Sequence, residues 1–134
     1  MSTAARRLST VVRILLGLPL MIFGLNGFFN FIPQPQTPLA PGAAAFAGAL
    51  MASGYMMQVI GATQLLVGIF LLLNRFVPLA LVLFAPFLVN SVAFHLRLEH
   101  TGLPMAAVFI VLYVYLVWTY RAAYRSLLTA RFLP

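Results

Sequence analysis

The side chains able to do chemistry in this sequence are few, and they sit inside apolar stretches: Asn26 and Asn30, Gln58 and Gln64, Asn90, Ser91 and His95. Amides both donate and accept hydrogen bonds but carry no proton at physiological pH. Of these groups only the imidazole titrates there. The set therefore suits recognition of a polar head group, with one group that can move a proton. Asn26 and Asn30 are four apart and share a helix face. Gln58 and Gln64 flank Gly61 at three residues either side. Ser91 and His95 share a face, and Asn90 is turned from His95 by about 140°.

Other chemistries find no support. His95 and His100 lie in one segment, so they do not offer bis-histidine haem ligands from facing helices. There are too few ligands for a metal site, and nucleophile triads and phosphate-cradling glycine loops are absent. With no cysteine the chain has no disulfide or thiol chemistry of its own. No catalytic residue is assigned, and no covalent cofactor is implied. If the helix continues past Leu96, Glu99 falls one turn above His95 and its carboxylate would favour the protonated ring.

The elements that hold these groups are set by the absence of charge. From Ile14 to Asn74 there is no Asp, Glu, Lys, Arg or His. One crossing of a hydrocarbon core needs about 20 residues, so this stretch suits two crossings joined by a loop. The composition, 63% hydrophobic and 7% charged, is that of an integral membrane protein. The expected spans are 14–32, 55–73, 77–96 and 103–120, in a single domain over 1–134. Pro33, Pro35, Pro38 and Pro41 predict a stiff extended connector. The alanine-rich Gly42–Ser53 that follows is a helix too short to cross. Pro86 predicts a kink in the third span. Lipid admits helices or closed barrels, and nothing here alternates like a strand. The predicted fold is all-α: an antiparallel four-helix bundle with a short extra helix in the first outer loop.

The net charge of +7 comes from eight arginines against one acid, with no lysine. Arg6, Arg7 and Arg13 precede the first apolar run, Arg75 separates the second from the third, and Arg121, Arg125 and Arg131 follow the last. Only Arg97 falls in the remaining loop. The positive-inside rule then puts both termini in the cytoplasm. Basic charge here reads as topology, not as a nucleic-acid surface, since interleaved basic and aromatic stretches are missing. Arg6 and Arg7 precede an apolar run too long for a signal peptide, so the first span is expected to stay uncleaved. Gly54, Gly61 and Gly68, like Gly17 and Gly24, recur every seven residues and predict close helix contact.

With that topology Asn26, Asn30, Gln58, Asn90 and His95 lie in the outer half, and Gln64 near the middle. Phe23, Phe28, Phe29 and Phe94 are close by in depth. An aromatic-walled pocket with a few polar anchors is the usual form of a small-ligand site. The competing reading is interhelical hydrogen bonding, worth about 0.6–2 kcal/mol per contact.

The stretch from Leu16 to Phe31, with its Gly24-Leu-Asn-Gly-Phe-Phe-Asn30 core, resembles the opening span of the DoxX family of small bacterial membrane proteins. Gly61-Ala-Thr-Gln-Leu-Leu-Val-Gly68, running on to Arg75, resembles that family's second span, and Asn90-Ser-Val-Ala-Phe-His95 fits the third. The resemblance covers Val12 to Tyr124. It implies a multi-pass protein of the bacterial inner membrane with a role beside quinone-linked redox chemistry. The family often carries an acidic residue where this chain has Gln64, so a proton-coupled role at that position is not expected here.

The functional expectation is a ligand-binding or accessory subunit of quinone-linked redox chemistry. Asn26, Asn30, Gln64, Asn90 and His95 would orient a head group, and Phe23 and Phe94 would hold its apolar part. The expected partners are the lipid bilayer, a quinone or lipid ligand and a redox protein, with self-association left open. No electron carrier is evident in the chain, so a redox step needs a bound quinone or a partner. The rivals are a small-molecule or lipid transporter using the same pocket, and a structural assembly factor whose polar residues only join helices.

Overall fold

The computed structural model describes residues 1–130; Arg131, one of the arginines in the topology argument, lies outside them. Five α-helices follow in order: α1 (Thr3–Phe29), α2 (Pro41–Ala52), α3 (Met56–Leu73), α4 (Val77–Arg97) and α5 (Leu103–Thr119). Single 3-10 turns at His100–Gly102 and Arg121–Tyr124 flank α5. There is no strand among the described residues. Helices α1, α3 and α4, and α5 taken with the turn before it, are long and apolar enough to cross a membrane. The chain is a multi-pass helical membrane protein. Large apolar side chains such as Val111 and Trp118 on α5 are about two-thirds exposed, as contact with lipid requires.

Helix α1 starts eleven residues earlier than expected, at Thr3 rather than Ile14. Ser2 caps it, its hydroxyl accepting from the Ala5 amide at 3.2 Å. Hydropathy marks only the apolar part of a helix, and arginine is itself a good helix former. At 27 residues α1 is about 40 Å long, more than a hydrocarbon core of about 30 Å. Its other end also shifts, from Ile32 to Phe29. Asn30 adopts the left-handed conformation at φ 48°, which asparagine tolerates better than most residues. The Asn26 carboxamide oxygen then accepts from the Ile32 amide at 2.7 Å, closing the turn. The turn 74–76 behaves similarly, with positive φ at Asn74 and Phe76. The α4 helix runs on unbroken through Pro86.

Helices α1 and α3 make the closest contact in the bundle, and glycine makes it possible. A Cβ added at Gly24 would come within 2.7 Å of the Gly61 carbonyl oxygen. One added at Gly68 would come within 2.6 Å of the Met21 nitrogen, and one at Gly27 within 2.9 Å of Gly61 Cα. Backbones this close gain dispersion and Cα–H···O contacts that no larger residue permits. Gly54, expected on this seam, is not part of it. It precedes α3 at φ 78° with nothing within 4 Å of its Cβ position, and Gly27 takes the place instead.

Around the seam Leu16, Leu20, Val67, Leu71, Leu81, Phe84 and Leu116 are fully buried. Phe84 stacks on Phe87 and meets Tyr113 edge-on, at centroid distances of 5.6 and 5.9 Å. Arg13 is buried too, at 7% exposure. Its guanidinium donates to the Leu71 carbonyl at 2.8 Å and to the Thr10 hydroxyl at 3.3 Å. Leu71 lies in the last turn of α3, where carbonyls lack intrahelical partners and the helix dipole favours a cation. The arginine therefore needs no carboxylate.

Candidate functional site

At the opposite end of α1 from Arg13, a cavity of about 510 Å³ opens among α1, α2, α3 and α4. Each helix contributes both a polar and an apolar group, apart from α2. Asn26 and Phe28 come from α1, with Asn30 at its cap. Met57 and Gln58 come from the first turn of α3, and Phe87, Asn90, Ser91 and Phe94 from one face of α4. Helix α2 adds Phe46, Ala47, Leu50 and Met51 to the wall, and the connector adds Gln34. Among the described residues no ionisable side chain lines it.

Four of the expected site residues, Asn26, Asn30, Asn90 and Phe94, share this cavity. Three do not. Gln64 lies on the buried face of α3 with Gly61 and Gly68, at 8% exposure, in the bundle core rather than at its mouth. Phe23, one helical turn before Asn26, is 40% exposed and does not line the cavity. His95 packs its ring over Gly102, and its Nδ1 lies 3.0 Å from the Glu99 main-chain oxygen. Because that oxygen can only accept, Nδ1 carries the proton. The expected pairing of His95 with the Glu99 carboxylate does not form, since α4 ends at Arg97 and the chain turns before another helical turn is complete.

The Glu99 carboxylate faces elsewhere. One oxygen accepts from the Thr101 hydroxyl at 2.8 Å and the Thr101 amide at 3.3 Å; the other accepts from the Ala40 amide at 3.2 Å. These bonds, from the Thr101 side chain first, then Ala40 and the Thr101 amide, hold its pKa below the ordinary carboxylate value, and nearby His100 adds to the effect.

Within the cavity the amides divide into two kinds. Asn26 spends its oxygen on the Ile32 amide. Asn30, Gln34, Gln58 and Asn90 make no side-chain hydrogen bond among the described residues. All four residues are exposed and line the cavity. Amides serving only as joints between helices would be bonded to one another or to carbonyls, as Tyr113 is to Leu81 at 3.1 Å. Phe46 and Phe87 were missed by the sequence reading. Phe87 could have been found three residues before Asn90, on the same helix face. Phe46 has no such signal, because nothing local shows that α2 folds back over the bundle. Comparison of the chain with family models, with curated proteins and with solved structures finds no match.

Proposed function

We propose that this chain is a DoxX-like protein of the bacterial inner membrane that binds a neutral amphiphile, with a quinone as the leading candidate, and serves as an accessory subunit of quinone-linked redox chemistry. The observation that carries the binding reading is the group of open amides of Asn30, Gln58 and Asn90 beside the rings of Phe28, Phe87 and Phe94. A quinone offers carbonyl oxygens for amide donors and a flat ring for aromatic walls, and it would supply the electron chemistry that the side chains lack. The volume falls within the usual range for small-molecule sites, about 300–1,000 Å³. No lining group can take up a proton, so the chain's own part is to bind and orient, and a partner completes any turnover.

The antiparallel arrangement and the cytoplasmic termini belong to the same proposal. They are supported by the paired positions along the seam, Gly27 with Gly61 and Gly17 with Gly68, and by arginines gathered near Arg13 and after α5. With that orientation the cavity faces the outer leaflet. The same cavity would serve a lipid carrier or small transporter, and substrate flux in liposomes separates that reading from the first.

The test is binding of a short-chain quinone analogue in detergent, with melting temperature measured alongside. Gln58→Leu and Asn90→Leu should each weaken binding about tenfold, the equivalent of one lost ligand hydrogen bond, while Gln64→Leu, outside the cavity, should leave it unchanged. Undetectable binding to a folded wild type would remove quinone, and equal affinity in all variants would move the site.

A further inference from the structure

Helix α2 is the one wall of the cavity that does not belong to the bundle. It has a single buried residue, Ala43. Two apolar contacts lay it against α4: the Phe46 and Phe94 rings at 5.7 Å, and the Leu98 side chain beside Gly42, 3.1 Å from its Cβ position. Its cavity face, Phe46, Ala47, Leu50 and Met51, follows the i, i+1, i+4, i+5 spacing of one helix side. Before it runs the proline-rich connector; after it come Ser53 and Gly54, the latter at φ 78°. Gly54 makes no contact at its Cβ position, and Ser53 is the pivot between the two helices: its hydroxyl donates to the Leu50 carbonyl of α2 at 2.6 Å and accepts from the Met56 amide of α3 at 3.0 Å. Among the described residues one polar bond ties the free end of α2 to the rest of the chain, from the Ala40 amide at its N-cap to the Glu99 carboxylate 59 residues on.

We propose that α2 is a lid on the cavity, swinging about Ser53-Gly54, and that Glu99 is the positioning residue that holds it shut through Ala40. The proposal rests on the binding reading above, because a lid matters where something is admitted. Glu99 suits the task by geometry. Its second oxygen is anchored by Thr101, in the turn just before α5, so the first is fixed where the N-cap of α2 arrives. Ala40 has φ −53° and ψ 146°, so proline at that position fits the backbone while deleting the one N–H that the latch uses.

The chain has no cysteine, which allows a test that needs no ligand. Ser91→Cys places a thiol in the cavity wall, and its rate of modification by a water-soluble maleimide reads how often the lid is open. Val67→Cys, fully buried in the bundle core, reports on general loosening. Adding Glu99→Ala or Ala40→Pro should speed modification at residue 91 by roughly 2–10-fold, the range that one net hydrogen bond spans, and leave residue 67 unchanged. Glu99→Gln keeps a single acceptor oxygen, which Thr101 and Ala40 must share, and should fall between. No acceleration at residue 91 in either variant overturns the latch. Acceleration at both reporter positions overturns it as well, because the bundle rather than the lid has then opened. Since no quinone is involved, a latch that behaves this way in a chain that binds no quinone separates the two proposals.

Discussion

Glu99 is the chain's one carboxylate, and its hydrogen bonds fix the sign of its pH dependence. Its pKa lies below the ordinary 4.5, chiefly through the Thr101 hydroxyl, then the Ala40 and Thr101 amides. A group depressed in the folded state contributes fully above its unfolded value and loses that contribution as the pH falls through the folded one. The ionisable and charged groups near it are His95 and Arg97 on α4 and His100 in the following turn; α2 and the connector before it carry none. Modification of Ser91→Cys should therefore be flat above the ordinary carboxylate range and accelerate only as the pH falls through the lowered value of Glu99. A maleimide reacts slowly in acid, so the rate is taken relative to that of Ser126→Cys, exposed beyond α5, at each pH. In the Glu99→Gln background the relative rate should show no such acid step.

At the scale of the helix, the α1–α3 seam and α2 predict opposite responses to the same change. Gly24→Ala and Gly61→Ala put a methyl group where the facing backbone stands under 3 Å away, and the helices must separate. A cost of about 1–3 kcal/mol is the usual result of such overpacking, read as a lower melting temperature in detergent. Gly48→Ala in α2 meets nothing within 4 Å and should be neutral or stabilising by up to about 1 kcal/mol. The spans could be read from sequence because an uncharged run long enough to cross has few alternatives. Their ends could not be read from hydropathy, since caps decide them: Ser2 and the left-handed Asn30 moved both ends of α1. Asn26, Asn30, Asn90 and Phe94 were legible as neighbours from shared faces and similar depth. Phe46 and the Ala40–Glu99 contact depend on the path of a proline-rich connector, and no local periodicity encodes that path. Gln64 and His95 are polar residues in the same spans, but sequence spacing alone did not separate a core-facing amide, or a ring folded over Gly102, from a cavity-lining one.

For the whole molecule, the proposed orientation makes a prediction independent of any ligand. Reporter fusions after Tyr124 and within the connector near Gln36 should report opposite sides of the membrane; matching signals would overturn the four-crossing arrangement. The fully buried side chains, from Leu16 to Phe84 and Leu116, leave the cavity at one end of the bundle and the partnered guanidinium of Arg13 near the other. That separation of charge from cavity has an electrical consequence. Moving one elementary charge across a membrane involves about 2.3 kcal/mol per 100 mV, so a site that trades in ions is driven or held back by the cell's voltage. The cavity walls are amides, a hydroxyl, thioethers and hydrocarbon, with no ionisable group among them. A neutral guest settling there carries no current, and occupancy follows its concentration in the bilayer whether the membrane is energised or collapsed.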